Sequence, residues 1–239
     1  MKSTSEDLKR RGYIENTDVL KYEGLDYNEL ICLLKSGNAF IRSIAVRVLS
    51  EKYFSAHSEL AEILLEVLSK EKSLYTKIEI CRALEKGDIQ TARAMIPYLG
   101  TIGNSQYKEL PTTVSKKKSY PLPRDIIART LGNMNISILP VLVSILEDGS
   151  LEIIREAIDA IGYLCFYNTV ENEDSFVRDL YSSIKVYLDD SIVRWKAAVC
   201  LSAFKCETSI QLLNNLSSKD NEPVIRNEAI RSLRIIGYR

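Results

Sequence analysis

The strongest constraint on this chain is one helical pattern that recurs six times. Segments 41–49, 76–84, 123–131, 153–161, 193–201 and 225–233 align without a gap. Let position zero be the second residue of each: Arg42, Lys77, Arg124, Ile154, Arg194 and Arg226. The positions three, four and seven residues further on are apolar in all six copies, 18 of 18. With 46% of the chain hydrophobic, that agreement has a chance of about one in a million before the choice of register is allowed for.

Apolar residues at this spacing form one stripe along an α-helix. A second leucine-rich helical pattern precedes every copy, at 30–34, 60–68, 92–99, 138–146, 180–188 and 210–216. Short polar turns join the two members. Ser73, Ser150 and Asp190 stand where a helix N-cap belongs, and Pro223 suits a first helical turn. No alternating strand pattern competes. The chain is therefore expected to be all-α, built as about six helix pairs. Such pairs cannot bury their apolar faces alone, so they stack. The expected organisation is a polar cap over 1–26, then a single solenoid over 27–239 with an insertion at 101–123. The array should fold as one cooperative unit.

These residues carry a resemblance. The chain is similar to HEAT repeat proteins, in particular the short prokaryotic HEAT-like and lyase-type members. Their second helix has a Val-Arg-x-x-Ala-Ala-x-Ala-Leu-Gly pattern, matched by Val193-Arg194 with Ala197, Ala198 and Leu201. Arg124 with Ala128, Leu131 and Gly132 follows it too, and the proline of the first helix is matched at Pro97 and Pro140. The resemblance covers about 27–237; Lys77 and Ile154 at the arginine position and the long step between copies two and three depart from it. It implies a right-handed α-α superhelix, a HEAT-like solenoid whose second helices line a concave groove. It also implies a non-enzymatic protein-interaction scaffold or adaptor.

On each second helix the positions one, two and five beyond zero lie opposite the packing stripe. The fifth reads Arg47, Arg82, Arg129, Asp159, Val199 and Arg231. Four arginines in one slot form a row that could grip carboxylates or phosphates. Trp195, the only tryptophan, is expected near Tyr163 and Phe166, an aromatic patch of the kind found at binding hot spots. The insertion carries Lys116, Lys117 and Lys118 and is expected at the groove edge, dispensable for folding. The candidate site is thus Arg47, Arg82, Arg129, Arg231, Trp195, Tyr163 and Lys116–Lys118, with an acidic protein segment as partner. By contrast Arg42, Arg124, Arg194 and Arg226 are expected to form a structural ladder with turn carboxylates and carbonyls.

Charge and composition narrow the function. Lys+Arg and Asp+Glu number 32 each, so no global field draws in nucleic acid or an anionic membrane. The single histidine, His57, has no nucleophile in a recognisable setting, and the five cysteines form no CxxC pair. No catalytic residue, metal or cofactor is expected. Two alternatives stay open: a nucleic-acid-binding protein of the DNA alkylation-repair type, and a HEAT-like lyase or enzyme accessory subunit. The polar start and the short 136–146 apolar run point to a cytoplasmic protein without a signal or membrane span.

Overall fold

A computed structural model describes residues 4–238. Among them every regular element is a helix. The chain divides into two compact units, Met1–Met95 and Ile96–Arg239.

The first unit holds α1 (Ser5–Arg10), α2 (Asn16–Val19), α3 (Tyr27–Leu33), α4 (Ala39–Lys52), α5 (Leu60–Lys70), α6 (Leu74–Leu84) and α7 (Ile89–Met95). Asp26 and Asn38 cap α3 and α4 by accepting backbone N–H groups from Glu29 and Phe40, which satisfies donors that the first turn would otherwise leave open. The repeated apolar positions Ala45, Val46, Leu49, Ile80 and Leu84 are buried among Leu30, Leu60, Leu64 and Leu68. Helix pairs α3/α4 and α5/α6 are therefore formed as the periodicity requires.

One described residue of the 1–26 segment packs closely on the repeats. Gly12 enters with φ +86° directly over the α4–α6 contact. There the Ser43 and Thr76 hydroxyls share a buried hydrogen bond of 2.9 Å, and Thr76 Oγ1 donates to the Ala39 carbonyl at 3.2 Å. A Cβ on Gly12 would stand 2.6 Å from Thr76 Oγ1 and 2.8 Å from Ser43 Oγ. Gly12→Ala is therefore expected to lower stability by about 1–3 kcal/mol, through left-handed backbone strain and displacement of the cap. Urea unfolding would check this; wild-type stability in the variant would show that the cap yields freely.

The second unit begins with a 3₁₀ turn at Ile96–Tyr98 and an irregular segment, then α8 (Ile126–Gly132). Three helix pairs follow: α9 (Leu139–Ser144) with α10 (Leu151–Phe166), α11 (Glu173–Ser183) with α12 (Ser191–Leu201), and α13 (Glu207–Lys219) with α14 (Pro223–Tyr238). Pro140 sits in the first turn of α9, where its missing N–H costs nothing. The apolar stripe is buried in α8, α10 and α12, but in α14 Ile230 is exposed.

The arginine ladder is present, with one correction. Arg42 donates bidentately to Glu71 at 2.7 Å and to the Ser36 carbonyl. Arg194 reaches Asp220 at 2.8 Å and the Leu188 carbonyl, and Arg226 reaches the Asp220 carbonyl at 2.6 Å. Each accepting carbonyl lies six residues before its arginine. In the third copy that role belongs to Arg129, which donates to the Pro123 carbonyl at 2.8 and 3.0 Å. The reason is that Asp125 caps the helix, which starts at Ile126. The slot four residues beyond the N-cap is then Arg42, Lys77, Arg129, Ile154 and Arg194 in successive copies. Arg124 lies outside the ladder, and Arg129 leaves the position-five row to which its spacing assigned it. Where Ile154 holds the slot, the adjacent Arg155 pairs with Asp190 instead.

Candidate interaction site

The face opposite the apolar stripe of α10, α12 and α14 is not an open groove. Glu156 and Asp159 of α10, Trp195 and Lys196 of α12, and Glu228 and Arg231 of α14 all lie on it and are all buried. Residues 101–123, expected to be dispensable, cross this face and cover it as a strap. The solvated segment that this expectation assumed is replaced by one anchored at several points.

At its start Ile102 is buried and Gln106 donates to Asp125 Oδ2 at 2.8 Å. Tyr107 then meets the Trp195 ring edge-on at 4.7 Å between centroids. Further on, Arg231 Nη2 donates to the carbonyls of Lys117 at 2.9 Å and Ser119 at 3.1 Å. Tyr120 closes the strap. Its ring lies 6.0 Å from Tyr163 and 5.5 Å from Phe166, and it is 3% exposed. Its hydroxyl drops into the space above Gly162, where any Cβ would come within 2.0 Å of Tyr120 Oη. The glycine is required by close approach and not by backbone angle. Burial drives the Tyr120 phenol well above its ordinary pKa.

Beneath the strap the helices carry a buried ionic cluster. Lys196 Nζ lies 2.8 Å from Glu156 Oε1 and 2.9 Å from Asp159 Oδ2, with the lysine fully buried. Burial pushes the Glu156 carboxyl up to about 7; Lys196 opposes that rise and Asp159 reinforces it. Burial likewise raises Asp159, against the pull of Lys196. On α14, Glu228 accepts from Arg231 at 2.7 Å.

The structure thus places the expected site residues in three surroundings. Arg47 and Arg82 converge on one carboxylate, Glu79, at 2.6 and 3.0 Å. Trp195 faces Tyr107, while Tyr163 and Phe166 face Tyr120, so the expected Trp195–Tyr163–Phe166 patch is replaced by three aromatic contacts to the strap. Arg231 is brought beside Lys116, Lys117 and Lys118. These four, with Ile230 and Arg234, bound a groove of about 520 Å³ between the strap and α14. No carboxylate is among the described residues that line it.

Several members of this face had no part in the sequence-based site: Tyr107, Tyr120, Glu156, Asp159, Lys196, Glu228 and Arg234. A signal for three of them exists. Glu156, Lys196 and Glu228 hold the same slot, two beyond position zero, in successive second helices. Opposite charges in one slot of neighbouring helices mark pairing across the stack, not a solvated face.

The HEAT repeats family model matches residues 139–234, the three consecutive pairs of the second unit. No curated protein matches the chain. Among solved structures, a designed armadillo repeat protein in complex with the peptide (KR)4 is similar at 18% identity and TM-score 0.40, covering 89% of this chain and 100% of its own. An engineered protein solved by a structural genomics consortium is similar at 20% identity and TM-score 0.38, covering 90% and 100%.

Proposed function

We propose that this HEAT repeat chain is a protein-interaction scaffold that binds an acidic segment of a partner protein in the groove between the strap and α14. On this reading 27–239 supplies the repeats and 1–26 caps them. The observation that carries it is the groove itself: Lys116, Lys117, Lys118 and Arg234 border it around the exposed Ile230. Clustered cations contribute nothing to folding by their mutual repulsion, and exposed ion pairs are worth only about 0–1 kcal/mol each. A partner supplying carboxylates and one apolar side chain meets both features of this surface.

The test is fluorescence anisotropy with a labelled nine-residue Glu/Asp peptide that carries one leucine. Saturable binding is expected, weakening at least tenfold between low and high salt as exposed charges are screened. Reversing Lys116, Lys117, Lys118 and Arg234 to glutamate should remove binding while helicity is unchanged. Unaltered affinity in that variant refutes the reading. Tighter binding of a single-stranded oligonucleotide of equal charge would replace it with nucleic-acid recognition.

A further inference from the structure

A second cavity lies on the other side of the same strap. It has a volume of about 200 Å³ and is walled by Tyr107, Arg124, Asp159, Trp195 and Glu228. Its charge is the reverse of the groove outside. Of its walls, Asp159 is paired with Lys196 and Glu228 with Arg231, and Lys196 also serves Glu156, so three buried carboxyls share two buried cations. Burial raises the Glu156, Asp159 and Glu228 carboxyls, because desolvated negative charge is costly unless it is paired, so a further cation in the cavity would favour their ionised forms. The chain holds one more cation at the cavity. Arg124 is exposed, forms no salt bridge with a described residue, and lays its guanidinium 4.5 Å from the centre of the Tyr107 ring.

We infer that this cavity is a receptor for a guanidinium group, with Tyr107 and Trp195 as aromatic walls and Asp159 and Glu228 as counter-charges. Arg124 is the chain's own guanidinium, resting at its edge. A planar, weakly hydrated cation stacks on aromatic rings and presents two donor edges to carboxylates, which a compact ammonium does not. The volume is below that of a drug-sized pocket and suits one side chain. The group could arrive on a free arginine-like molecule or on the arginine of a partner chain. The inference does not depend on the acidic-segment reading, since the two surfaces take opposite charges.

Trp195 is the only tryptophan, so its fluorescence reports on this cavity alone. Titration with acetyl-arginine amide should change the emission saturably. Acetyl-citrulline amide, similar in shape and neutral, should leave it unchanged. Removing the internal occupant with Arg124→Ala should tighten arginine binding several-fold, because the exposed Arg124 competes without supporting the fold. Asp159→Asn should weaken it at least tenfold; should that variant lose its helicity, the Arg124→Ala result decides. A pentapeptide Gly-Gly-Arg-Gly-Gly separates the two sources. Binding at least tenfold tighter than the amide assigns a partner chain, and equal binding assigns a free ligand. An equal response to the citrulline probe, or no saturable response in either wild type or Arg124→Ala, overturns the inference.

Discussion

Replacing Tyr120 by alanine should destabilise the protein by about 3–5 kcal/mol, in the range seen when large aromatic side chains are removed from a core. The strap is held by that ring, by Ile102, and by the two carbonyls that Arg231 uses. Loss of the ring opens a void against Tyr163 and Phe166, beside Gly162. Tyr120→Phe separates packing from hydrogen bonding. The phenol oxygen is buried without a hydrogen-bond partner among the described residues, so its removal should leave stability unchanged or raise it by about 1 kcal/mol. Exchanging 101–123 for a short Gly/Ser turn should be more damaging than Tyr120→Ala, since it also strips the acceptors from Arg231. Chemical denaturation of the three variants measures this order. A full-stability strap exchange would show that the segment rests on the helices without supporting them.

Lys196→Ala is the second large effect. It leaves Glu156 and Asp159 buried without their counter-charge, and breaking a buried pair in this way costs about 3–5 kcal/mol. Replacing all three ionic groups together, by Lys196→Met, Glu156→Gln and Asp159→Asn, should cost much less than the single change, because no charge is then left unpaired. The cluster also sets a pH dependence. The Glu156 carboxyl sits at about 7 against an ordinary 4.5, so between those values the folded state holds more protons than the unfolded chain. Stability therefore falls as pH climbs from 4.5 to 7 and levels off above. Glu156→Gln should remove that decline near pH 6–7. Identical pH profiles for wild type and Glu156→Gln would contradict the burial argument.

The correction to the strap is instructive about composition. Residues 101–123 are rich in lysine, proline and serine, and such a stretch reads as solvated. Its lysine side chains are indeed exposed. What packs is Tyr120, Ile102 and the backbone carbonyls of Lys117 and Ser119, and a carbonyl has no letter in a sequence. Arg129 leaves the row of arginines for a related reason. Arg124 and Arg129 are five residues apart, and both fit a helical arginine slot. Only the Asp125 cap, with its side chain accepting from Ala128 N–H at 2.8 Å, decides which one starts the ladder. Arg47 and Arg82 were legible as an arginine slot. That both converge on Glu79, which is buried between them, was decided by packing.

The sequence by itself determined five helix pairs, the caps at Ser150 and Asp190, the apolar stripe and the ladder of Arg42, Arg194 and Arg226; Ser73 precedes its helix without a side-chain cap bond. Each feature so determined rests on residues a few positions apart, where helix geometry dictates which side chains and backbone groups meet. Tertiary structure alone decided that the opposite face of the second unit is roofed by the strap, with its charges and rings buried beneath it. The bonds that make it so join Arg231 to carbonyls 112 and 114 residues away. At that separation no periodicity links the partners; only the packing of α10, α12 and α14 brings the strap within reach.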